Sequence, residues 1–392
     1  MPGPPLKPGA QGRQSPAPLS PGCLLLEDGT YFEGMGAGAS ATTTGEVVFT
    51  TGMVGYPESL TDPSYRGQIL TFTYPLLGNY GVGNPRRRDA FGLPVSFESG
   101  SLQVRAALFQ NLTEPHHWAS ALSLPEWARR ANVPLLTGID TRRLTAHLRT
   151  KGVLRGLVHV GASLPSRSAL ARTLARAPRY EEEDLVAQVS PPRAVLVRSG
   201  RPRAPLVAVV DCGCKASLLR SLLTRGLDVL RLPASEGVPE RFDGRRVAGL
   251  FVGNGPGDPA TLRGVVEAIA EVRRRDLPTL GICLGQQLLG QAAGATTYKM
   301  KFGHRGQNKP VLFPDGRAYI LSENHGYAVE AKSLEGTGLR SWAVNPDDGT
   351  LEGLRDARGR VLSLQGHPEG GPGPREAGFV FDLFAGKVRR SS

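Results

Sequence analysis

An α/β protein of two domains is predicted by three features of this 392-residue sequence. From residue 205 onward, nearly unbroken apolar runs alternate with amphipathic stretches, the pattern of parallel strands covered by helices on both faces. Before residue 160 the apolar runs are shorter and divided by turn residues, which gives many strands and few helices. Between them, residues 161–204 break into polar, Pro-rich pieces such as APRYEEED and SPPRA, the composition of a linker. The length is enough for each domain to bury a core without disulfide or metal staples.

Residues 1–22 are rich in Pro, Gly and Ser and nearly free of large apolar side chains, so a disordered extension is expected. They also lack the apolar core of a secretory signal, and a cytoplasmic location is expected. The first domain, 23–160, opens on CLLLEDGTYFEG, two short apolar runs around a Glu-Asp-Gly turn, which reads as a hairpin. Strand-like runs follow at GEVVFTT, QILTFTY and VRAALFQ, with helical spacing in LPEWARRAN and TRRLTAHLRTKG. Asp140 or Thr141 can cap the last of these, whose apolar stripe includes Leu144 and Leu148.

The second domain, 205–390, alternates regularly. PLVAVVDCG, LDVLRLP, VAGLFVG and LPTLGIC are strands; KASLLRSLLTRG, TLRGVVEAIAEVRRRD and LGQQLLGQAAG are helices. In such sheets, ligands sit where the strands end at their carboxyl edge.

Composition excludes several classes. No window approaches the roughly 20 apolar residues of a membrane-spanning helix, so no membrane role is expected. The net charge of +12 is divided between the halves, +7 over 1–205 and +5 beyond, with no basic block longer than Arg86-Arg87-Arg88. A nucleic-acid partner is therefore not expected, because its footprint is a stripe or tail. Four irregularly spaced cysteines, at 23, 212, 214 and 283, do not make a disulfide framework. Cys212-Gly213-Cys214 lacks a second ligand pair for zinc and reads as a packed turn, so no metal is expected. Asp347-Asp348 and Glu181-Glu182-Glu183-Asp184 read as solvated loop charge.

Chemistry concentrates in four segments. Cys283 lies in Gly281-Ile282-Cys283-Leu284-Gly285, between a strand and a helix, a G-x-nucleophile-x-G elbow with sulfur as the nucleophile. A helix start offers free N–H groups to a developing oxyanion and favours a thiolate. His367 and Glu369, at the end of VLSLQGHPE, are two residues apart on an extended run and so face one way. The carboxylate can then fix the imidazole tautomer while the other ring nitrogen meets the thiol. Asn254-Gly255-Pro256-Gly257-Asp258-Pro259 follows another strand, and its glycines let main-chain N–H groups approach a substrate. Asn324-His325-Gly326-Tyr327 follows the strand AYILSE and can add backbone and amide contacts.

Taken together, NGPGDP, GICLG-x-Q, NHG-aromatic and HPE resemble, in this order, the class I glutamine amidotransferases. The first half is similar to the small-subunit domain of glutamine-dependent carbamoyl phosphate synthetase, through LLLEDGTYFEG, GEVVFTTGMVGYPESLTDPSYRGQIL, TYPLLGNYG and GIDTRRLT. The resemblance implies an amino-terminal domain of swivelling β/β/α type and a flavodoxin-like glutaminase domain with a mixed, mainly parallel sheet. It implies that Cys283 attacks the carboxamide of L-glutamine, His367 protonates the departing ammonia and Glu369 orients His367. Gly255 and Leu284 would supply the oxyanion hole, and Gly52, Gly257, Gln287, Asn324, Gly326 and Tyr327 would hold glutamine.

By the same resemblance, ammonia passes to a separate large subunit that uses ATP, Mg and bicarbonate to make carbamoyl phosphate for arginine or pyrimidine synthesis, the two chains forming a heterodimer. No G-x-x-x-x-G-K-[ST] phosphate loop occurs in the sequence, so no cofactor is expected in this chain. Four positions depart from the common pattern: Gly52 stands where many bacterial members have Ser, Gly253 where Ser precedes NGPG, Gln286 where His is common, and Tyr327 where Phe is common. Altered glutamine affinity or coupling is expected from them. The competing readings are a non-catalytic regulatory or scaffold subunit of the same complex, and a stand-alone cysteine hydrolase. The intact Cys283, His367 and Glu369 set argues against the first, and the synthetase-type amino-terminal half against the second.

Overall fold

The computed structural model describes residues 19–392. Most of the extension expected over 1–22 lies outside them. Seven strands, β1 (Ser20–Leu26), β2 (Tyr31–Gly38), β3 (Thr42–Thr50), β4 (Gln68–Phe72), β5 (Ala106–Leu108), β6 (Pro134–Thr137) and β7 (Leu154–Val160), close into a barrel. Their order is β1-β2-β6-β5-β4-β3-β7. Closure leaves no open strand edge. The expected hairpin is β1–β2, its turn fixed by the Thr30 N–H donating to Asp28 Oδ1 at 3.0 Å. Leu24, Leu26, Val47, Phe49, Ile69 and Leu136 pack together as an apolar core.

Three helices decorate the barrel: α1 (Tyr56–Thr61), α2 (Leu124–Arg130) and α3 (Thr141–Lys151). Of the two caps open to α3, Asp140 is used: its carboxylate accepts the Arg143 N–H at 2.8 Å. Leu144 and Leu148 are buried beneath α3.

Two boundaries shift from the sequence expectation. The first strand begins at Ser20 rather than after residue 22, because Ser20 and Pro21 pair with Gly36 and Met35, and Gly22 also pairs with Val160. The stretch 161–204 is not a bare linker. It contains α4 (Arg167–Arg176), capped by Ser166, whose Leu170 and Leu174 pack on Cys23, Leu25 and Leu157 of the barrel. It also contains β8 (Val195–Val197), the antiparallel edge of the second sheet. The Arg- and Ser-rich surroundings conceal one i, i+4 apolar pair, and that pair suffices to anchor a short helix.

In the second domain, β9 (Leu206–Asp211), β10 (Asp228–Pro233), β11 (Arg245–Val252), β12 (Thr279–Ile282) and a late strand, Val361–Leu364, are parallel. Numbered among themselves they run 2-1-3-4-5 across the sheet, the flavodoxin-like order. The parallel part stops there. β13 (Thr297–Leu312), β14 (Ala318–Val329), β15 (Leu339–Val344) and β16 (Leu351–Asp356) extend it beyond the late strand, β17 (Val361–Leu364), as an antiparallel wing.

Helices α5 (Ala216–Thr224), α6 (Arg263–Arg274), α7 (Leu284–Ala292) and α8 (Phe379–Ser391) cover the sheet. On one face Val207, Val209, Phe251 and Leu280 pack with Leu218 and Leu222 of α5 and Phe381 and Phe384 of α8. On the other Ala208, Val210, Leu250 and Val252 pack with Ile269 of α6 and Leu288 of α7. Burial on both faces is why these strands read as continuous apolar runs.

The domains are joined by buried polar contacts. Glu98, from the first domain, accepts from the Ser217 N–H at 3.0 Å and its hydroxyl at 2.7 Å, at the start of α5. A carboxylate at a helix start satisfies free N–H groups and meets the positive end of the dipole.

Candidate active site

Cys283 is where β12 turns into α7, with φ 56° and ψ −109°. A positive φ is costly for a side chain with a Cβ and is held only where the surroundings over-determine it. Here the clamp is visible: the Cys283 N–H donates to Leu364 O at 2.8 Å. The flanking glycines are obligatory by close approach, since a Cβ on Gly285 would lie 2.1 Å from Val252 O and one on Gly281 2.4 Å from Leu289 Cδ1. The elbow holds the sulfur at the carboxyl edge of the sheet, beside the unpaired N–H groups that open α7.

His367 follows β17 and is pinned by its N–H donating to Ser322 O of β14 at 2.9 Å. Glu369, two residues on, places Oε1 at 2.7 Å from His367 Nδ1. The same oxygen accepts from Lys215 Nζ at 2.8 Å. All three side chains are buried. Burial works against the charge on Glu369, yet the adjoining Lys215 and His367 hold its carboxyl down at about 2. For His367, burial and Lys215 oppose protonation, but the Glu369 carboxylate and hydrogen bonding to Cys283 and Glu369 prevail and push it up to about 10. The ammonium of Lys215 is likewise raised, against burial, by Glu369, Glu98 and Asp62.

The expectation that the second ring nitrogen meets the thiol needs an addition. Nε2 of His367 lies 2.9 Å from Oδ1 of Asn324. Asn324 in turn donates from Nδ2 to Asp62 Oδ2 at 2.7 Å. The barrel domain thus reaches the imidazole through one amide.

Gly255, Gly257, Cys283, Leu284, Gln287, Asn324, Gly326 and Tyr327 line one cleft. Gly257 is held by its N–H donating to the Tyr180 hydroxyl at 3.0 Å. Gln287 donates to Tyr327 O at 2.8 Å and to Gln365 Oε1 at 3.1 Å, tying α7 to the antiparallel wing. The wall also includes Glu46, Gln68 and Lys299. Glu46 accepts from Gln68 and from Lys299, each at 2.8 Å. His367 faces a second hollow with Asp62 and Lys215, and Asn324 borders both.

Gly52 is not brought to the cleft. It lies two residues beyond β3, where a Cβ placed on it would stand 2.7 Å from Gln307 Nε2. Two of the other departures have structural partners. A Cβ on Gly253 would lie 2.0 Å from Cys214 Sγ, so the sulfur fills the space of the absent side chain. Gln286 is buried, accepting from Ser363 Oγ at 3.0 Å and donating to Leu351 O at 3.2 Å.

Cys212-Gly213-Cys214 is a packed turn, its Gly213 and Cys214 N–H groups bound to Asp211 Oδ1 at 2.9 and 2.7 Å. The acidic loops, in contrast, are not simply solvated: Glu183 pairs with Arg105, Glu181 with Lys299, and Asp348 with His304.

Sequence reasoning missed Lys215, Asp62 and Glu98. No spacing rule finds them, because their partners lie 154, 262 and 119 residues away.

A flavodoxin-like sheet with a cysteine elbow and a buried His-Glu pair is the architecture of a class I glutamine amidotransferase, and the class I glutamine amidotransferase family model matches residues 208–386. The model for the carbamoyl-phosphate synthase small chain, CPSase domain, matches residues 24–158. Over 366 residues the chain is 43% identical to the carbamoyl phosphate synthase small chain of Pyrococcus furiosus, covering 93% of this chain and 96% of that one. Identity to the small chain of Sulfolobus acidocaldarius is 41%, with the same coverage. A 40% match covers 93% of this chain and 17% of the multifunctional protein pyrABCN of Emericella nidulans. The chain belongs to the carbamoyl phosphate synthase small chain family.

Proposed function

We propose that this chain is the glutamine-hydrolysing subunit of carbamoyl phosphate synthase, with Cys283, His367 and Glu369 as its catalytic triad. The observation that carries the reading is the cysteine elbow opening into a cleft beside an imidazole clamped by the Glu369–Lys215 pair. Cys283 sulfur attacks the side-chain carboxamide carbon of L-glutamine, and the negative oxygen is met by the N–H groups of Gly255 and Leu284. The C–N bond breaks as the His367 imidazolium gives its proton to the departing nitrogen, releasing ammonia and leaving a glutamyl thioester. Water then attacks the thioester; His367 takes a proton from it, glutamate leaves, and the thiolate is restored.

Glu369 keeps its charge because Lys215 neutralises it, so it can hold the imidazolium through the cycle. Glu46 and Lys299, an ion pair in the cleft wall, can exchange that contact for the amino and carboxylate groups of a free amino acid. Tyr327 and Gly326 close the remaining side.

Ammonia passes to a large subunit that binds ATP and Mg and supplies bicarbonate chemistry, the two chains forming a heterodimer in the cytoplasm. Among the described residues no helix is long and apolar enough to cross a membrane. The test is glutamate release by the purified chain, wild type beside Cys283→Ser, with and without a candidate large subunit, ATP and bicarbonate. Hydrolysis by wild type that rises with the partner and vanishes in Cys283→Ser is the expected result. Failure of wild type to hydrolyse glutamine while bound to a verified partner overturns it in favour of a scaffold subunit.

A further inference from the structure

Away from the thiol, on the antiparallel wing, four buried side chains converge. Pairing of β13 with β14 sets His304 directly opposite His325, and Glu323, two residues before His325, shares its face. Glu352 comes from β16. One donor atom from each of the four lies within 4.8 Å of all the others. His304 Nδ1 is 3.0 Å from Glu323 Oε2 and 3.3 Å from Glu352 Oε1, and His325 Nε2 is 3.4 Å from Glu323 Oε2.

These atoms are within ion-pair distance, but none of the contacts has good hydrogen-bond geometry. His304 Nδ1, His325 Nε2 and all four carboxylate oxygens of Glu323 and Glu352 have no hydrogen-bond partner of acceptable geometry. Each unsatisfied buried polar group costs about 1–3 kcal/mol, and one ion at the centre would satisfy all six at once.

The outer contacts fix which ring nitrogens are free. His304 Nε2 lies 2.9 Å from Asp348 Oδ2, and a carboxylate only accepts, so this nitrogen carries a proton and Nδ1 is the one that holds the lone pair once the ring is neutral, as a metal ligand must be. His325 Nδ1 lies 2.9 Å from Tyr327 O, and a carbonyl only accepts, so Nε2 is the free one. A carboxylate or carbonyl behind each imidazole is the support that metal-binding histidines receive. The spacing also fits. Four ligands at about 2.0–2.1 Å around a tetrahedral ion stand about 3.3–3.4 Å apart.

We propose that His304, Glu323, His325 and Glu352 form a tetrahedral binding site for a divalent cation of the zinc type. Two imidazoles and two carboxylates suit zinc or cobalt(II), whereas magnesium and calcium need more oxygen ligands. The two carboxylates balance the charge of a dication. With every position filled by protein, the site is structural rather than catalytic. It ties β13 and β16 to the segment Asn324–Tyr327, which lines the glutamine cleft.

The test uses the untagged full-length chain, stripped with chelator, then dialysed against buffered zinc or cobalt(II). Metal content is measured after gel filtration, with visible spectra of the cobalt form and thermal melts. One ion per chain, the intense visible bands of tetrahedral cobalt and a rise in Tm with zinc are expected. Glu323→Gln and Glu352→Gln keep all four cysteines and should each bind at least about tenfold more weakly. Should either fail to fold, Asp348→Ala, on the half-exposed rim, should weaken binding by roughly tenfold through loss of the His304 support. Metal far below one ion per chain overturns the proposal, because a proton shared by His304 and the carboxylates then fills the site. Equal metal content in wild type and the folded variants also overturns it, since the ion is then held elsewhere.

Discussion

The Asp62 carboxylate of the barrel domain accepts from the side-chain amide of Asn324 in the amidotransferase domain at 2.7 Å. Because a carboxylate can only accept, this contact fixes the amide orientation and leaves Oδ1 facing His367 Nε2, 2.9 Å away. An oxygen there requires a proton on Nε2, so Asp62 favours the imidazolium from across the domain boundary. Asp62 also accepts from the Ser64 N–H at 2.9 Å and faces Asn254 Nδ2 at 3.3 Å.

Replacing Asp62→Ala frees Asn324 to turn its NH2 toward the ring. We expect kcat/KM for glutamine to fall roughly tenfold or more, with the alkaline limb of the pH profile moving to lower pH. The variant melts lower as well, by the cost of orphaned amides, about 1–3 kcal/mol. A change in Tm with an unmoved pH profile would assign Asp62 a purely structural role.

The triad also predicts how stability follows pH. His367 titrates higher folded, at about 10, than its ordinary value of about 6.5. Its contribution is therefore complete below about pH 6.5 and is lost as pH rises through 10. Glu369 titrates lower folded, at about 2, than its ordinary value of about 4.3. Its contribution is present above that value and is lost as pH falls toward 2. Thermal melts should accordingly fall off between pH 6.5 and 10, and His367→Gln should flatten that limb, while the acid limb persists through Lys215 but begins at higher pH. An unchanged alkaline limb in the variant would show that His367 is not its source.

Lys215 and Glu369 form a fully buried ion pair at 2.8 Å. Removing one partner of such a pair leaves an uncompensated charge, at a cost of about 3–5 kcal/mol. Lys215→Met should lower stability by that amount at pH 7 in denaturant melts and raise the pH at which the acid limb begins, since Glu369 then keeps only His367 to hold it ionised. A loss below about 1 kcal/mol would mean that water, or a proton taken up by Glu369, fills the role.

The sequence made the parallel core and the motif residues readable, because both are local. An apolar run between two helices marks a doubly covered strand, and a glycine-flanked cysteine marks an elbow. What it concealed depends on contacts across the chain. Lys215 reads as the start of an ordinary amphipathic helix, yet its ammonium reaches Glu369, which follows β17 at the same carboxyl edge of the sheet. Gly52 sits in a motif that suggests substrate contact, but it lies two residues past β3, beside Gln307, and is not among the residues lining the cleft. The wing β13–β16 has mixed polarity, since its strands carry His304, Glu323, His325 and Glu352 inward where apolar residues are the usual signal. Its register comes from pairing partners rather than from alternation.

Gly253 and Cys214 compensate one another. Gly253 follows β11 and Cys214 follows β9, neighbouring strands, and a Cβ on Gly253 would stand 2.0 Å from Cys214 Sγ. Contact that short cannot be relieved by rotating a distant side chain, because Cys214 is buried and its N–H is tied to Asp211 Oδ1 at 2.7 Å. Gly253→Ser should therefore destabilise the protein by about 1–3 kcal/mol, the usual cost of overpacking a core, and disturb the adjoining Asn254-Gly255 turn enough to lower glutamine turnover. Cys214→Ala alone leaves a small cavity and costs less. Combined, the two changes should be close to neutral, giving a coupling energy at least as large as the cost of Gly253→Ser alone, about 1–3 kcal/mol, in a double-mutant cycle read by urea melts. Simple additivity of the two single variants would mean that the backbone, not the sulfur, makes room for residue 253.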